Sequence, residues 1–394
     1  MTLINDADTY LFSTYNRYPI VLVRGKGTRV WDDQGKEYLD FVSGIAVCNL
    51  GHCHPRIVDA VTDQAKKLLH VSNLYHIKPQ IELARLLVAS SFADKVFFCN
   101  SGAEANEGAI KLVRKYMQDR SGEKNPEILT AHNSFHGRTL ATLTATGQEK
   151  MKKGFDPLLP GFKHLPFNDM EAVRREATEK TGAILIEPIQ GEGGVNCPSE
   201  NYLSDLRDFC DKNNILLIFD EVQSGMGRTG KLFAYEHYGI APDIMTLAKA
   251  LAGGLPIGAI LACKEVADAF TPGTHASTCG GNPLVTAAGK AAVKTIRQPE
   301  LLNNCASMGS YFMNRLQSLK NKYPLIQEVR GKGLMIGMEL DRPGADIVNK
   351  CLEKGVLINC IQEKVLRFVP PLIITEPEID LLISLLDEIF SSEI

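Results

Sequence analysis

Three polar residues in the middle of the chain stand where apolar runs end. The run at 215–219 ends in Asp220-Glu221, and the run at 243–248 ends in Lys249. The carboxyl ends of strands form the ligand crevice of open α/β sheets, so polar residues there are the first candidates for a site. Lysine is rarely buried, yet Lys249 follows a run that reads as internal. Taken alone, Lys249 could equally be a strand end that leads into solvent.

A turn of small residues, Cys99-Asn-Ser-Gly-Ala-Glu-Ala105, joins a predicted strand to a predicted helix. The N–H groups of a helix start are unpaired, and the helix dipole there favours an anion. Gly102 and Ala103 would let a phosphate approach the backbone closely. The alternative is that Asn100 or Ser101 only caps the helix.

A phosphate turn, a strand-end lysine and a strand-end carboxylate are together the three anchors that a pyridoxal ring needs. Lysine forms the imine, and an acid opposite the pyridine nitrogen keeps that nitrogen protonated, so that carbanion charge flows into the ring. We therefore expect pyridoxal 5′-phosphate as the cofactor, with Lys249 as its covalent anchor and Asp220 as the acid. Strand alternation points only one of Asp220 and Glu221 toward the crevice, and spacing does not decide which.

The elements that must position these residues read as an α/β fold. Short apolar runs with turn residues on either side predict buried strands at 95–99, 127–131, 183–187, 215–220, 243–248 and 258–263. Segments with helical spacing separate most of them, as at 103–116 and 201–213. This alternation predicts a mainly parallel sheet that is covered on both faces.

The length of 394 residues suits one large domain and one smaller domain. We expect the large cofactor-binding α/β domain at 51–283. After Asn282-Pro283 the pattern changes to long helices and short strands, which predicts a small α+β domain at 284–394. Residues 1–50 contain hairpin signals, and we expect this segment to pack with the small domain.

Composition narrows the class of protein. The 43 basic and 46 acidic residues nearly balance, which does not favour nucleic acid or a membrane as partner, and small-molecule chemistry becomes the default. Ten cysteines without a C-x-x-C pair, and an N-terminus without a secretory pattern, predict a reduced cytoplasmic protein. No apolar run approaches the roughly 20 residues of a membrane-spanning helix.

Eight segments occur in an order that resembles the class III aminotransferases, the ornithine, acetylornithine and GABA type, over nearly the whole chain. They are Gly51-His-Cys-His-Pro55, Ser101-Gly-Ala-Glu-Ala-Asn-Glu107, Ser134-Phe-His-Gly-Arg138, Glu187-Pro-Ile-Gln-Gly-Glu192, Phe219-Asp-Glu-Val-Gln223, Lys249, Ser277-Thr-Cys-Gly-Gly-Asn-Pro283 and Arg367-Phe-Val-Pro-Pro371. The resemblance implies the fold of PLP-dependent transferases, fold type I, and transfer of an amino group.

The resemblance also implies cofactor contacts beyond Asp220 and Lys249. The residues that match are Ser101, Gly102, Ala103, Phe135, His136, Val222, Gln223 and Thr278. Phe135 would stack on one face of the ring, Val222 would pack on the other, and Gln223 would hydrogen-bond the ring oxygen. Thr278 would reach the phosphate of the neighbouring subunit, which implies a homodimer with a composite active site.

Substrate binding is implied for Arg138, Glu187, Glu192, Arg367 and Ile45. A planar guanidinium can hold a carboxylate through two hydrogen bonds. By resemblance, Arg138 holds the carboxylate remote from the reacting amine, and Arg367 takes the α-carboxylate of glutamate. Glu192 neutralises Arg367 while the other substrate, which reacts through its terminal amine, is bound.

The expected reaction moves a terminal amino group to 2-oxoglutarate and yields glutamate. Ile45 stands where ornithine δ-aminotransferases have a tyrosine that engages free ornithine, and Gly44-Ile-Ala-Val47 fits the acetylornithine subgroup. N2-acetylornithine is therefore the expected donor, within arginine biosynthesis. Ornithine, succinyl-diaminopimelate, GABA and related ω-amino acids stay open as donors, as does an aminomutase. A non-catalytic binding protein of the same fold would be expected to lack Lys249 or Asp220.

Two further motifs are given less weight. Gly225-Met-Gly-Arg-Thr-Gly230 matches G-x-G-x-x-G, but Asp220 and Glu221 occupy the position of the first tight turn, so a glycine-rich loop is preferred to a nucleotide site. His52-Cys-His54 has no second cluster of ligands and runs straight into Pro55, so we expect a turn and no metal site.

Overall fold

The computed structural model describes residues 3–392. Its helices are α1 (Leu3–Tyr10), α2 (Ser43–Ala46), α3 (Pro55–Ala65), α4 (Lys78–Val88), α5 (Gly102–Ser121), α6 (Leu140–Ala145), α7 (Glu149–Lys152), α8 (Met170–Glu176), α9 (Tyr202–Asn213), α10 (Lys264–Ala267), α11 (Pro283–Ile296), α12 (Pro299–Lys322), α13 (Ala345–Glu353) and α14 (Glu376–Ser391). Short 3₁₀ turns lie at Ala234–His237 and Lys249–Ala252.

The strands are β1 (Leu22–Lys26), β2 (Arg29–Asp32), β3 (Glu37–Asp40), β4 (Lys95–Cys99), β5 (Glu127–Ala131), β6 (Phe162–Leu165), β7 (Thr181–Ile186), β8 (Leu216–Asp220), β9 (Ile244–Leu247), β10 (Gly258–Ala262), β11 (Ile326–Lys332), β12 (Met335–Leu340), β13 (Val356–Leu357), β14 (Asn359–Ile361) and β15 (Val365–Phe368). All six predicted strands are present. The prediction missed β6, whose sequence Phe-Lys-His-Leu is short and half polar.

The large sheet has the strand order β4-β10-β9-β8-β7-β5-β6. Its strand pairs are parallel except those of β10, which runs antiparallel to both β4 and β9. The predicted α/β class with a mainly parallel sheet is therefore confirmed. Strands β7, β8, β9 and β10 are buried along their whole length, as expected for strands covered on both faces.

Alternation along β8 distributes its side chains to two cores. Leu217 and Phe219 join the larger cluster, which includes residues of α4, α9 and α11. Leu216 and Ile218 face the opposite side and join the cluster of α5. Because side chains alternate with a period of two, Asp220 continues the α5 side of the sheet and Glu221 falls on the other side.

A second core lies in the C-terminal part of the chain. Strands β11-β12-β15-β14 form an antiparallel sheet, and apolar side chains of α12, α13 and α14 complete this core. The opening strands β1-β2-β3 join the same part of the molecule, because β3 pairs in parallel with β13. We retain the division at residues 50 and 283 as a proposal that these two cores and the β3–β13 pairing support.

Arg228 links the two parts of the molecule. Its guanidinium is fully buried and donates hydrogen bonds to the carbonyl oxygens of Leu334 (2.9 Å) and Pro370 (2.5 Å) and to Oδ1 of Asn49 (2.5 Å). Burial lowers the pKa of Arg228 to about 10, so the group is still a cation at neutral pH. One side chain of the glycine-rich loop therefore holds both the N-terminal segment and the C-terminal sheet.

None of the helices within residues 3–392 is both long and apolar enough to cross a membrane.

We expect Arg228→Ala to lower the free energy of unfolding by about 3 kcal/mol or more, because three buried acceptors lose their donor at about 1–3 kcal/mol each. Denaturant unfolding of the purified protein measures this loss. The matched control is Arg175→Ala, since Arg175 is an exposed arginine paired with Glu176, and it should change stability by less than about 1 kcal/mol. Equal effects of the two substitutions would contradict the linking role of Arg228.

Candidate active site

A cavity of about 430 Å³ lies at the carboxyl ends of the strands of the large sheet. Twelve of the residues predicted for the site line it: Ser101, Gly102, Ala103, Phe135, His136, Arg138, Glu187, Glu192, Asp220, Val222, Gln223 and Lys249. The three predicted residues that do not line it are Ile45, Thr278 and Arg367. Segments that are far apart in the sequence thus meet in one crevice, as the strand-end argument predicts.

Lys249 begins the 3₁₀ turn that follows β9, and its backbone has the left-handed value φ 45°. A non-glycine residue in this region is strained, and such strain clusters at functional sites. The side chain projects into the cavity among other charged groups. Burial lowers the pKa of Lys249, and Arg367 acts in the same direction. The carboxylates of Glu192, Asp220 and Glu187 oppose this shift.

Asp220 is held by a buried network. Its Oδ2 accepts a hydrogen bond from Nδ2 of Asn106 at 2.7 Å and lies 2.8 Å from Nδ1 of His136. Its Oδ1 accepts the backbone N–H of Val222 at 3.0 Å. Thr246 in turn donates to Oδ1 of Asn106, which fixes the orientation of that amide. The carboxylate of Asp220 is therefore fixed in direction beside the cavity.

Glu221 faces away from the cavity. Its carboxylate accepts the backbone N–H groups of Ala234 (2.7 Å) and Tyr235 (2.8 Å) and the hydroxyl of Ser224. Burial raises the pKa of Glu221 to about 7. Spacing along the sequence left Asp220 and Glu221 equivalent, and the structure directs only Asp220 to the cavity.

The turn before α5 combines both interpretations that the sequence allowed. Oγ of Ser101 caps the helix by accepting the N–H of Glu104 at 3.1 Å. Gly102 and Ala103 line the cavity at the first turn of the same helix, where N–H groups are free to meet an anion. A Cβ placed on Gly102 would lie only 2.8 Å from Cγ1 of Val222, so the close approach needs glycine.

A buried charge pair closes one end of the cavity. Nη1 of Arg367, on β15, donates to Oε1 of Glu192 at 2.5 Å and to Oε1 of Gln223 at 3.2 Å. The Arg367 side chain is fully buried, whereas Glu192 lines the cavity. Burial alone would raise the pKa of Glu192, but the charges of Arg367 and Lys249 outweigh burial and hold it below the usual value.

Glu187 follows β7 and contributes a third carboxylate to the cavity, beside Asp220 and Glu192. Its two oxygens accept the backbone N–H groups of Phe135 (3.0 Å) and Gly191 (3.1 Å). Burial raises the pKa of Glu187 to about 7, against the opposing effect of His136. Glu187 therefore changes charge near neutral pH, while Glu192 stays ionised.

The part of the chain described by the structure contains no cluster of three or more His, Cys, Asp or Glu side chains that could hold a metal ion.

Comparison with known proteins places this geometry in a family. The family described as "Aminotransferase class-III" matches residues 11–390. The chain belongs to the class III aminotransferases. It is 57% identical over 383 residues to the acetylornithine aminotransferase of Caldanaerobacter subterraneus subsp. tengcongensis, with 97% of each chain covered.

Solved structures of class III aminotransferases have the same fold. The ornithine aminotransferase of Toxoplasma gondii ME49 is similar with a TM-score of 0.96 at 34% identity, over 99% of this chain and 94% of that one. The N-acetylornithine aminotransferase of Stenotrophomonas maltophilia K279a has a TM-score of 0.85 at 38% identity, with 99% of each chain covered. The fold alone therefore does not separate the two kinds of donor.

Class III aminotransferases use pyridoxal 5′-phosphate, so this chain is a PLP-dependent transaminase. The residues of the cavity fit this cofactor. A Cβ at Gly102 would occupy the space through which a phosphate could reach the backbone. Asp220 is directed into the crevice, and Lys249 reaches it from the end of the neighbouring strand β9. Nε2 of His136 is also buried without a hydrogen-bond partner, as expected where a polar group of the cofactor would lie.

Four other predicted residues differ in their relation to the cavity: Arg138 lines it, Arg367 lies behind Glu192, and Ile45 and Thr278 do not line it. Cζ of Arg138 lies 5.6 Å from the centroid of the Phe135 ring. Arg367 reaches the cavity only through Glu192 and Gln223. Ile45 is 41% exposed on the helical turn α2, and Thr278 is exposed in a separate cleft beside Leu74.

Sequence reasoning did not assign a role to Asn106, which holds Asp220, or to Val47, which lines the cavity. Asn106 had a detectable signal, because it lies next to Ala105 on the buried face of α5, where a polar side chain requires a partner. Val47 had no such signal in the sequence, since an apolar residue after a turn gives no indication that it lines a cavity.

Proposed function

We propose that the chain transfers the terminal amino group of N2-acetyl-L-ornithine to 2-oxoglutarate and yields N-acetylglutamate 5-semialdehyde and glutamate. The observation that carries this proposal is the pairing of Arg367 with Glu192 at the cavity wall. While the two are paired, the guanidinium is neutralised, and a donor can present its terminal amine there. The relatives named acetylornithine aminotransferase support the choice of donor.

Bound pyridoxal phosphate would supply an electron sink for the carbanion that forms at the amine-bearing carbon, and it would carry the amino group from the donor to 2-oxoglutarate. Lys249 would hold the cofactor covalently until the donor's amine displaces it, and the freed lysine amine would then move the proton. Nζ of Lys249 takes a proton from the carbon that carries the donor's terminal amine, and it later delivers one to C2 of the 2-oxoglutarate skeleton. This requires a neutral amine, which the burial of Lys249 favours.

Other side chains of the cavity orient the cofactor. Asp220, fixed by Asn106 and His136, holds a proton on the ring nitrogen. N–H groups at Gly102 and Ala103 receive the phosphate, with Ser101 capping the same turn. Phe135 and Val222, which both line the cavity, would pack against the two faces of the ring.

Two arginines bind the carboxylates of the substrates. Arg138 binds the carboxylate remote from the reacting carbon, in both substrates. Arg367 binds the α-carboxylate of glutamate after Glu192 has moved aside. Glu187, whose oxygens already hold Phe135 and Gly191, lines the substrate space.

Ile45 is the residue that we propose disfavours free ornithine. Its side chain cannot form a hydrogen bond with a free α-amino group, whereas an acetylated amine has lost its charge and needs less compensation.

A panel of donors tests this function. With 2-oxoglutarate as acceptor, acetylornithine should show a kcat/KM at least about tenfold above ornithine, GABA and succinyl-diaminopimelate, because selection rests on single contacts of about 1–3 kcal/mol. Glutamate formation is the measurement. Lys249→Ala should lose turnover with every donor, and borohydride should attach the cofactor to Lys249 in the wild type only. A higher kcat/KM for ornithine or GABA would contradict the proposed donor.

Exchange of Glu192 tests the charge switch. In Glu192→Gln the guanidinium of Arg367 is no longer neutralised, so the KM for acetylornithine should rise by about tenfold, while the KM for the keto-acid acceptor falls or stays unchanged. Steady-state kinetics with each substrate varied measures both values. The control Glu192→Asp keeps the charge and should retain the wild-type preference more closely. A rise in both KM values in Glu192→Gln alone would contradict the switch.

We also propose that the enzyme is a homodimer with a composite active site. Thr278 lies on an exposed loop outside the cavity of its own chain, in a cleft with Leu74. Large apolar side chains are strongly exposed in the N-terminal segment, at Tyr10, Phe12 and Tyr15, and at Leu74 and Tyr75, of which Leu74 lines the same cleft as Thr278. Exposed apolar surface of this kind supports a subunit interface, across which Thr278 would bind the partner's phosphate.

Mixed dimers test the role of Thr278. Thr278→Ala should weaken cofactor affinity by about tenfold or more, since one hydrogen bond to a charged group is lost, whereas Thr274→Ala on the same loop should not. Mixing Thr278→Ala chains with inactive Lys249→Ala chains should create one intact site per dimer, because Thr278 and Lys249 of that site come from different chains. Without recovery of activity at limiting cofactor, the composite site would be wrong.

A cytoplasmic location is part of the proposal. All ten cysteines are free thiols, as expected in a reducing compartment.

A further inference from the structure

The helical turn α2 winds with the opposite hand to an ordinary α-helix. Four successive residues have positive φ: Ser43 (46°), Gly44 (65°), Ile45 (64°) and Ala46 (58°). Its hydrogen bonds are those of a helical turn, with the N–H groups of Ile45 and Ala46 donating to the carbonyl of Val42. Only glycine adopts this conformation without strain, so three of the four residues must be held in it by their surroundings.

Asp40 holds the start of the turn. Its Oδ1 accepts the N–H groups of Val42 (2.7 Å) and Ser43 (2.9 Å), and the residue is buried. Its Oδ2 lies 2.7 Å from Nε2 of His52. One oxygen therefore caps the turn, and the other is fixed by the histidine.

His52 is itself fixed in place. Its backbone forms a two-way bridge with Gly27, and a Cβ on Gly25 would lie only 2.7 Å from the Cβ of His52. The hydrogen bond with Asp40, together with a second one with Cys48, raises the pKa of His52 to about 10. His52 and Asp40 thus form a charged pair at neutral pH, at the centre of the N-terminal strands.

The other side of the turn contacts the strand that carries Arg367. Oγ of Ser43 donates to the carbonyl of Val369 at 2.6 Å. Ala46 belongs to a small buried cluster that contains Val365 and Val369, on either side of Arg367, and Ile189, which precedes Glu192. The residue after the turn, Val47, lines the cavity. The turn therefore bonds directly to the segment that carries Arg367, and it shares a small core with the segment that carries Glu192.

We infer that Asp40 and His52 are positioning residues for carboxylate recognition: their pair holds Ser43–Ala46 in its left-handed turn, and the turn sets the position of Arg367 relative to Glu192. The inference rests on the proposed function and extends it, because it assigns the accuracy of the switch to residues outside the cavity. A pair with a purely structural role would affect stability and all substrates alike. A positioning role affects glutamate and 2-oxoglutarate more than the amine donor.

The experiment uses holoenzyme variants in which the pair is removed or conservatively replaced. Asp40→Ala removes both functions of the carboxylate, and His52→Ala removes its partner. Asp40→Asn keeps an oxygen for the two N–H groups, and His52→Gln keeps a donor for Asp40. Glu37→Gln is the matched control, because Glu37 forms a charged pair with Arg29 on the same small sheet without contacting the turn.

The glutamate half-reaction is followed by the absorbance of the bound cofactor, with no amine donor present. Asp40→Ala and His52→Ala should raise the glutamate concentration for half-maximal rate by about tenfold or more, because small displacements of a binding group are costly. The same value for the best amine donor should rise by a smaller factor, because that substrate does not bind the guanidinium of Arg367. The Asn and Gln variants should recover most of the loss, and Glu37→Gln should match the wild type.

Cofactor affinity and thermal unfolding of each holoenzyme are measured in parallel. If the Ala variants fail to fold, Asp40→Asn and His52→Gln still decide, because they should show the same glutamate-specific change in smaller size. Equal changes for glutamate and donor, or none for either, would overturn the inference. Absence of wild-type activity with acetylornithine would contradict the proposed donor only, since the glutamate half-reaction does not involve it.

Discussion

The buried guanidinium of Arg367 imposes the main constraint on this molecule. A charge removed from water must be paired, and its partners here are Glu192, the amide oxygen of Gln223 and the side-chain amide of Asn359. A guanidinium that stayed paired with its own carboxylate would not be available to bind a substrate carboxylate. Glu192, however, lines the cavity and stands beside Lys249, so a substrate carboxylate can take its place. In the proposed function, this one buried charge would serve two substrates that differ in charge near the reacting carbon.

The rest of the architecture brings this pair and the cofactor residues into one place. Parallel strands deliver Asp220 and Lys249 to the same edge of the large sheet, and α5 presents its first turn to the same crevice. Arg367 lies on β15 of the other sheet, so its position relative to Glu192 depends on how the two sheets pack. The buried hydrogen bonds of Arg228 and the left-handed turn at Ser43–Ala46 both act at this junction.

Sequence reasoning succeeded where chemistry is encoded locally. Continuous apolar runs are typical of strands covered on both faces, and they led directly to the sheet, to Lys249 and to the pair Asp220-Glu221. The motif order then supplied Arg138, Glu192 and Arg367. Spacing along the strand could not decide between Asp220 and Glu221, because the choice depends on which face of β8 packs against α5. It also missed β6, whose residues are too few and too polar for a periodic signal.

Sequence patterns could not predict contacts between segments that are far apart along the chain. Ser43 and Val369 are 326 positions apart, and nothing in either segment indicates that they meet. The hydrogen bond between His52 and Asp40 is similarly invisible, since Gly51-His-Cys-His-Pro55 gives no sign of its carboxylate partner. Positive φ at Ser43, Ile45 and Ala46 contradicts local preference, so only the surrounding packing explains it.

The most direct test of the switch is a crystal structure of the holoenzyme with a bound five-carbon dicarboxylate, such as glutarate, compared with one without it. With the dicarboxylate bound, one carboxylate should form two hydrogen bonds with Arg367, and Glu192 should have rotated out of contact with the guanidinium. A dicarboxylate bound in the cavity while Arg367 and Glu192 keep their 2.5 Å contact would contradict the account.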